Sequence, residues 1–595
     1  MAVAQLAPSV FKRRNRNLSH HQLHVANLQL LQGAHEGQQR RASPQIPDVF
    51  PVHRQHPFPG MGSAWICGKR NVSIDKCGVS NAKLTRTNRR YEGQLTSASI
   101  SLLPGWNIHF FQDRETVREI WRSSSLLSSH TVFRYACKYM FGTPPKWLAI
   151  LAADDSGHNA KPHPASRVEP QNRAHSILSR GVHANISGPR FAPSLERSRK
   201  NLFRSVGEVE AGPPIGDGDG DGDGLVVSDF RRFVHNTVGL SLVQAVFGPS
   251  LVRVNPTFMD DVYELDRWLP WLSRGIPSLL MPKAYAARRW MQRNFKAWYA
   301  YDQYHLNKQD SAVYDEAYEG STWMENRRLT MREIQDEDTV ASLDSGGAWA
   351  TTINVYSATI MALIHIARDR QVLERVRGEM DAAFGAHQPL SSVSIKELAK
   401  LPLLSSIFAE TLRLHVTSFS VVTAPYQDMR LGGRYLFPKG GIGMLSSRVS
   451  HLDTGFWNTQ EGVHPVNSFW ADRFLTDPSD PSSGPRIPGL KNTDTSVRAS
   501  GRCKAGSQGD ADDQPYFSTE GLRESWYPFG GGQFICPERF IARSAMILTC
   551  ALLARQFDME VLNKRIEFSS STYGFGTEQP KHPVQVRLRR RLANA

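Results

Sequence analysis

The stretch Trp526-Tyr527-Pro528-Phe529-Gly530-Gly531-Gly532-Gln533-Phe534-Ile535-Cys536-Pro537-Glu538 joins a glycine-rich bend to one cysteine and a proline, ahead of a helical pattern over Ala542–Gln556. Consecutive glycines let the backbone take positive φ and approach another body closely. Proline suits the first turn of a helix. A cysteine just before a helix N-terminus meets free N–H groups and the positive end of the dipole, which favour a thiolate. That is the chemistry of an iron ligand, although a buried structural cysteine would satisfy the same bend. A second set is Glu410-Thr411-Leu412-Arg413, where the glutamate and arginine share one helix face and can pair. Leu403, Leu404, Ile407 and Leu412 make that helix an interior one, so the pair is expected to be buried. A third is Asn467-Ser468-Phe469-Trp470-Ala471-Asp472-Arg473-Phe474, where an arginine between aromatics can offer its fork to a buried carboxylate and stack on a ring. A fourth is Trp349-Ala350-Thr351-Thr352 with Asn354, small and hydroxylated residues inside a long apolar segment that can line a ligand pocket. Threonines there can equally bond back to their own helix.

The elements that would position these groups are mostly helices. Gly346–Ile366 is the longest uncharged apolar-rich stretch, long enough to span a bilayer. Its Thr351, Thr352, Asn354, Ser357, Thr359 and His365 fit a core helix better, continuing into the charged amphipathic segment Arg368–Phe384. Helical patterns also cover Asp113–Ser124, most of Gln171–Val206, Val226–Val246, Pro256–Leu272, Lys283–His305 and Leu401–Leu414. Short strands are expected at Ile100–Leu103 and Ile108–Phe111 around Pro104-Gly105, then at 421–422, 429–431, 435–436 and 442–445. Val584–Leu588 alternates as an edge strand would. The expected fold class is mainly α with small β-sheets (α+β), in one large domain over residues 91–595. Residues 1–90 read as a disordered or irregular extension, and low-complexity insertions as lying near 211–225 and 478–514. The first includes a strict Asp-Gly alternation, Asp217–Gly224, which lacks the distal glutamate of a calcium loop.

Of 595 residues 40% are hydrophobic, enough for a large core, and the formal charge is +15 from 71 basic and 56 acidic residues. No nucleic-acid-binding motif accompanies the basic runs, which excludes a nucleic-acid partner from the reading. The six cysteines (Cys67, Cys77, Cys137, Cys503, Cys536 and Cys550) show no CxxC pair, which argues against a disulfide scaffold or a zinc finger and suits a reducing compartment. The first hundred residues hold no apolar run long enough to span a bilayer.

Taken in order, the long helix with its small-residue segment, the Glu-x-x-Arg helix, the aromatic-Arg-Phe segment and the Phe-Gly-Gly-Gly…Cys-Pro loop resemble the cytochrome P450 superfamily, over roughly Tyr91 to the C-terminus. Trp526–Gly532 is most similar to filamentous-fungal members of the branch holding sterol 7-hydroxylases and prostacyclin synthase. The resemblance implies a haem-thiolate monooxygenase with haem b (iron protoporphyrin IX), inserting one oxygen atom from O2 into a lipophilic small molecule, a secondary metabolite or a sterol- or lipid-like compound. It implies Cys536 as the iron ligand, Phe529 and Gly532 in the proximal cradle, Glu410, Arg413 and Arg473 as a structural cluster, and Thr352 and Asn354 on the distal face. It implies Arg173 or His175 as partner of a haem propionate. Gly440-Gly441-Ile442-Gly443 is no dinucleotide fingerprint, so electrons are expected from a separate NADPH-dependent reductase. The resemblance places the protein at the endoplasmic reticulum membrane surface by peripheral contact, or in the cytoplasm if the N-terminus is as given. Two positions depart from the family pattern: Phe534 stands where Arg or His is usual and Glu538 where Gly is usual. Two other readings follow from the departures, a haem-thiolate isomerase or dehydratase acting on a peroxide without a reductase, and a degenerate relative without enzymatic activity.

Overall fold

The computed structural model describes residues 97–103, 106–157, 161–164, 166–178, 191–209, 224–308, 334, 336–490 and 514–591. The N-terminal extension expected over 1–90, most of the Asp-Gly insertion and residues 491–513 of the second insertion lie outside the described residues.

In chain order, strands β1 (Ala98–Leu103) and β2 (Trp106–Phe110) precede helix α1 (Arg114–Arg122). Asp113 caps α1 by accepting from the Thr116 amide at 2.9 Å. Helix α2 (Phe191–Gly207), strand β3 (Leu225–Val227) and helices α3 (Leu240–Phe247), α4 (Phe258–Leu272) and α5 (Pro282–Lys308) follow. The 32-residue helix α6 (Glu337–Arg368) is succeeded by α7 (Arg370–Phe384) and α8 (Pro402–His415). Strands β4 (Phe419–Thr423), β5 (Met429–Leu431), β6 (Tyr435–Phe437), β7 (Ile442–Ser446), β8 (Leu475–Thr476) and β9 (Tyr516–Phe517) come before helix α9 (Arg539–Gln556). Strands β10 (Phe557–Val561) and β11 (Val586–Arg590) end the fold. One sheet runs β1-β2-β7-β4, with β2 and β7 parallel and the other pairs antiparallel. A second runs β10-β11-β3.

Three expectations are corrected here. Val226 belongs to a strand, because it pairs with Arg587 of β11, and the helical turns start only at Phe230. Accordingly β11 is the middle strand of its sheet and not an edge. The long apolar helix does not continue into the charged segment: Asp369 breaks the run and caps α7, accepting from the amides of Gln371 and Val372.

Helix α6 packs against α5, α8 and α9. Its residues Ile353, Tyr356, Ile360, Met361 and Leu363 are all buried, so its membrane-length apolar run is covered by protein. This is the larger of two hydrophobic clusters. The smaller gathers Phe111, Val117, Ile120, Val422, Leu431 and Phe437 under α1 and the four-stranded sheet. The cysteine loop lies along the seam between them. Its Tyr527 and Phe534 pack into the smaller cluster, while Trp526 and Phe529 pack against the larger.

Three interior histidines make this packing acid-sensitive. His235 and His451 have pKa values lowered to about 3 by burial. His365, stacked on Phe469 at 4.0 Å and 2.8 Å from the His415 ring nitrogen, is pushed down chiefly by burial and then by that neighbour. His451 Nε2 accepts from the Tyr527 amide at 3.2 Å, a bond that requires an unprotonated nitrogen. An unfolded histidine takes its proton near pH 6.5, so below that pH the unfolded state binds more protons and stability falls as pH falls. For His235 and His451 the loss at pH 5 is roughly 2 kcal/mol each, with His365 adding in the same direction. Urea denaturation at pH 7.5 and pH 5 should therefore show a much lower midpoint in acid. His451→Gln, which keeps an acceptor at that place, should reduce the difference, and equal midpoints at both pH values would contradict the assignment.

Candidate active site

Gly530 and Gly532 adopt φ of 73° and 56°, the left-handed region that only glycine enters cheaply. Space demands glycine as well: a Cβ on Gly531 would stand 2.6 Å from the Trp121 ring, and one on Gly532 2.4 Å from Ser124 Oγ. The Gln533 amide donates to the same Ser124 Oγ at 3.0 Å, and the Cys536 amide donates to the Phe529 carbonyl at 2.8 Å, closing the loop. Phe529 thus shapes the cysteine loop through its carbonyl as well as its ring. Helix α9 starts at Arg539 with Glu538 at its N-cap, so Pro537 lies in the turn before the helix and not in its first turn. Burial pushes the Cys536 thiol up to about 12, and Glu538 pushes it further the same way. Desolvation outweighs the helix end, and the sulfur gives up its proton only to a bound cation.

Across from the loop stands α6. Ala350 is exposed and Asn354 half-buried, although Thr351, Thr352, Ile353 and Val355 between and beyond them are buried. Positions i and i+4 share one helix face, so this face of an otherwise covered helix opens onto an internal cleft. Cys536 and Glu538 are likewise only half-buried. Thr351 Oγ1 donates to Glu538 Oε1 at 2.9 Å, which brings the two walls together at one edge. Burial raises the Glu538 pKa to about 7 against the pull of that hydrogen bond. The other walls are β4, whose Ser420 Oγ lies 3.7 Å from the Cβ position of Gly530, and the segment Gly574–Thr577. Asn354 Oδ1 accepts from the Thr577 amide at 3.0 Å, and Gly576 passes so close that a Cβ there would fall 2.0 Å from Asn354 Oδ1.

Behind the loop, Glu410, Arg413 and Arg473 meet with no exposed surface. Glu410 accepts from Arg413 Nε at 2.6 Å and Nη2 at 2.8 Å, a bidentate pair, and from Arg473 Nε at 3.0 Å. The remaining Arg413 donors go to the carbonyls of His451 and Val466, and Arg473 donates to that of Asn458. Arg473 also stacks 5.2 Å from the Trp470 ring centre. His451 links the cluster to the cysteine loop, because the Tyr527 amide bonds its ring.

The structure therefore holds Phe529 and Gly532 in one loop with Cys536, bonds Asn354 to the Gly576-Thr577 segment, and gathers Glu410, Arg413 and Arg473 in one buried cluster. Thr352 stays apart: its hydroxyl donates to the Ala348 carbonyl at 2.7 Å, and it is Thr351, one residue earlier, that reaches the cysteine wall. Arg173 donates to Ser156 Oγ at 3.2 Å and the His175 amide to Asp154 at 2.9 Å, so both are held by the segment after residue 153. The His175 ring lies 3.9 Å from His130. Trp121, inside the helical pattern expected over Asp113–Ser124, packs against Gly531 and so joins the site. No sequence signal pointed to the Gly576-Thr577 contact with Asn354.

The residues fit an iron porphyrin. No group of three or more His, Cys, Asp or Glu among the described residues can hold a metal, so an iron at Cys536 has to bring its other donors with it, as a porphyrin does. The uncovered Ala350/Asn354 side of α6, joined to the cysteine segment through Thr351 and Glu538, gives it a place. The indole nitrogen of Trp121, beside Gly531, is buried with no partner, as is His130 Nε2. The indole N–H suits an acidic group of the ligand.

The family model described as Cytochrome P450 matches residues 253–484. The chain is 32% identical over 479 residues to cytochrome P450 monooxygenase efuG of Hormonema carpetanum, covering 78% of each protein. It is 34% identical over 376 residues to cytochrome P450 monooxygenase fsoE of Humicola fuscoatra, covering 61% of this chain and 62% of that one. Prostacyclin synthase of Bos taurus is 28% identical over 280 residues, covering 45% and 49%. Among solved structures, the cytochrome P450 CYP102L1 superposes with a TM-score of 0.52 at 17% identity, covering 85% of this chain and 94% of that one.

Proposed function

Since this chain belongs to the cytochrome P450 family and is a haem-thiolate monooxygenase with haem b as cofactor, we propose that it inserts oxygen from O2 into a lipophilic secondary metabolite or a sterol- or lipid-like compound, with electrons from a separate NADPH-dependent reductase. The observation that carries this reading is half-buried Cys536 in its glycine loop, joined through Glu538 to Thr351 of α6 beside the exposed Ala350 and half-buried Asn354. The haem, when bound, supplies the oxygen activation, and the thiolate favours O–O cleavage. The chain's own residues do the rest. Cys536 binds the iron, with Phe529 and Gly532 shaping its loop. Phe419 and Ala350 offer apolar surface to a substrate without charge. Asn354, fixed through Oδ1 by the Thr577 amide, keeps its side-chain N–H groups for a water or a substrate oxygen. Trp121 offers a donor to a propionate beside the two candidates read from the sequence, Arg173 and His175.

A peripheral site on the endoplasmic reticulum membrane is part of the proposal. Trp271, Leu279 and Leu280 are exposed (39%, 89% and 71%) at the α4–α5 connection, flanked by Arg274 and Lys283. An apolar patch rimmed by basic residues suits an anionic lipid surface.

The test is reconstitution with a P450 reductase, NADPH and 18O2 against a panel of lipophilic substrates. The expected result is NADPH-dependent product carrying one 18O atom. Turnover of a hydroperoxide without NADPH, and none with it, would overturn the monooxygenase reading in favour of an isomerase.

A further inference from the structure

Resting on the haem-binding reading above, the residue two beyond the cysteine has a consequence of its own. The carboxylate of Glu538 does not point to solvent at the start of α9. It crosses the cleft and accepts from Thr351 Oγ1 at 2.9 Å, on the helix that forms the opposite wall. Thr351 is fully buried, while Glu538 keeps part of its surface open although it lies deep in the protein. Its side chain therefore borders open space inside the cleft. A flat macrocycle ligated at Cys536 has to spread from the sulfur between the same two walls, past the side chain two residues away. Glu538 and the ring compete for one gap, and the hydrogen bond holds the walls together where the ring must part them.

We propose that the Thr351–Glu538 hydrogen bond is a latch across the haem seat, and that Glu538 sets how readily this protein takes up and keeps haem. Seating the ring breaks the bond or turns the carboxylate aside, and losing the ring lets it close again. One opened interior hydrogen bond weakens haem retention by on the order of tenfold.

Haem retention in the purified full-length holoprotein tests this. Haem transfer to excess apomyoglobin gives the loss rate, and pyridine haemochromogen assay gives haem per chain. Glu538→Gly should lose haem on the order of tenfold more slowly than the native protein and carry more haem as purified. Glu538→Gln, which can still accept from Thr351, should stay near the native rate. Thr351→Val removes the latch from the far wall without touching the cysteine loop, and should slow haem loss too. Equal or faster haem loss in Thr351→Val overturns the proposal even if Glu538→Gly fails to fold. If the native protein shows no thiolate-ligated CO spectrum at all, the parent reading fails instead, a different outcome from a wrong order of loss rates.

Discussion

Cys536→Ala should abolish the Soret band of the reduced, CO-bound thiolate complex and with it all monooxygenase turnover. Nothing among the described residues can take the sulfur's place. Cys137 and Cys550 are buried in the core, and among the described residues no cluster of metal-ligating side chains offers a second seat. The fold should survive, because Cys536 is only half-buried and its backbone bond to Phe529 does not involve the side chain. Far-UV circular dichroism should stay native while haem content and the CO spectrum collapse. Cys550→Ala is the control: it removes a core sulfur, lowers stability modestly and leaves the CO spectrum in place. A Cys536→Ala protein that keeps the thiolate CO band would remove the cysteine from its role.

The largest effect on stability is expected at Glu410. One carboxylate balances two arginines, none of the three has exposed surface, and burial lowers the Arg473 pKa against Glu410's opposing pull. Glu410→Ala leaves both guanidinium groups charged in the interior with only carbonyl partners. Breaking a buried pair in this way costs about 3–5 kcal/mol, a large part of a domain's net stability of about 5–15 kcal/mol. The expected outcome is insoluble expression or a sharply reduced urea midpoint. Glu410→Gln keeps an acceptor oxygen and the Trp470 amide bond but loses the charge, and should fall between the two. Arg473→Lys should cost less than Glu410→Ala, because a positive charge stays near the carboxylate while the stack on Trp470 is lost. A Glu410→Ala protein with a native midpoint would show that the cluster is not holding the fold.

Much of this was legible from sequence because it is written locally. The glycine bend, the Glu-x-x-Arg spacing and the apolar periods of α6 and α8 are set by neighbours within one or two turns. What escaped depends on distant partners. Val226 is a strand residue because of Arg587, and β11 sits mid-sheet because β3 arrives beside it. Thr352 and Thr351 differ by 100° around the same helix, and only the packed structure says which side faces the cysteine wall. The amide that fixes Asn354 comes from Thr577, 223 positions away. The upward push on the Cys536 thiol was hidden for a related reason, since proximity to a helix end is local but burial is a property of the whole fold.

The contact of Gly576 with Asn354 reaches beyond this one molecule. A single methyl group at 576 would fall on the amide oxygen it now passes, and the φ of 150° there also favours glycine. The two positions are therefore not free to vary one at a time. Pocket libraries that randomise 576 alone should return mostly inactive clones, whereas libraries that let 354 shrink together with a changed 576 should open new substrate shapes. In a lineage diversifying toward new products, these two sites, far apart along the gene, should mutate as a pair.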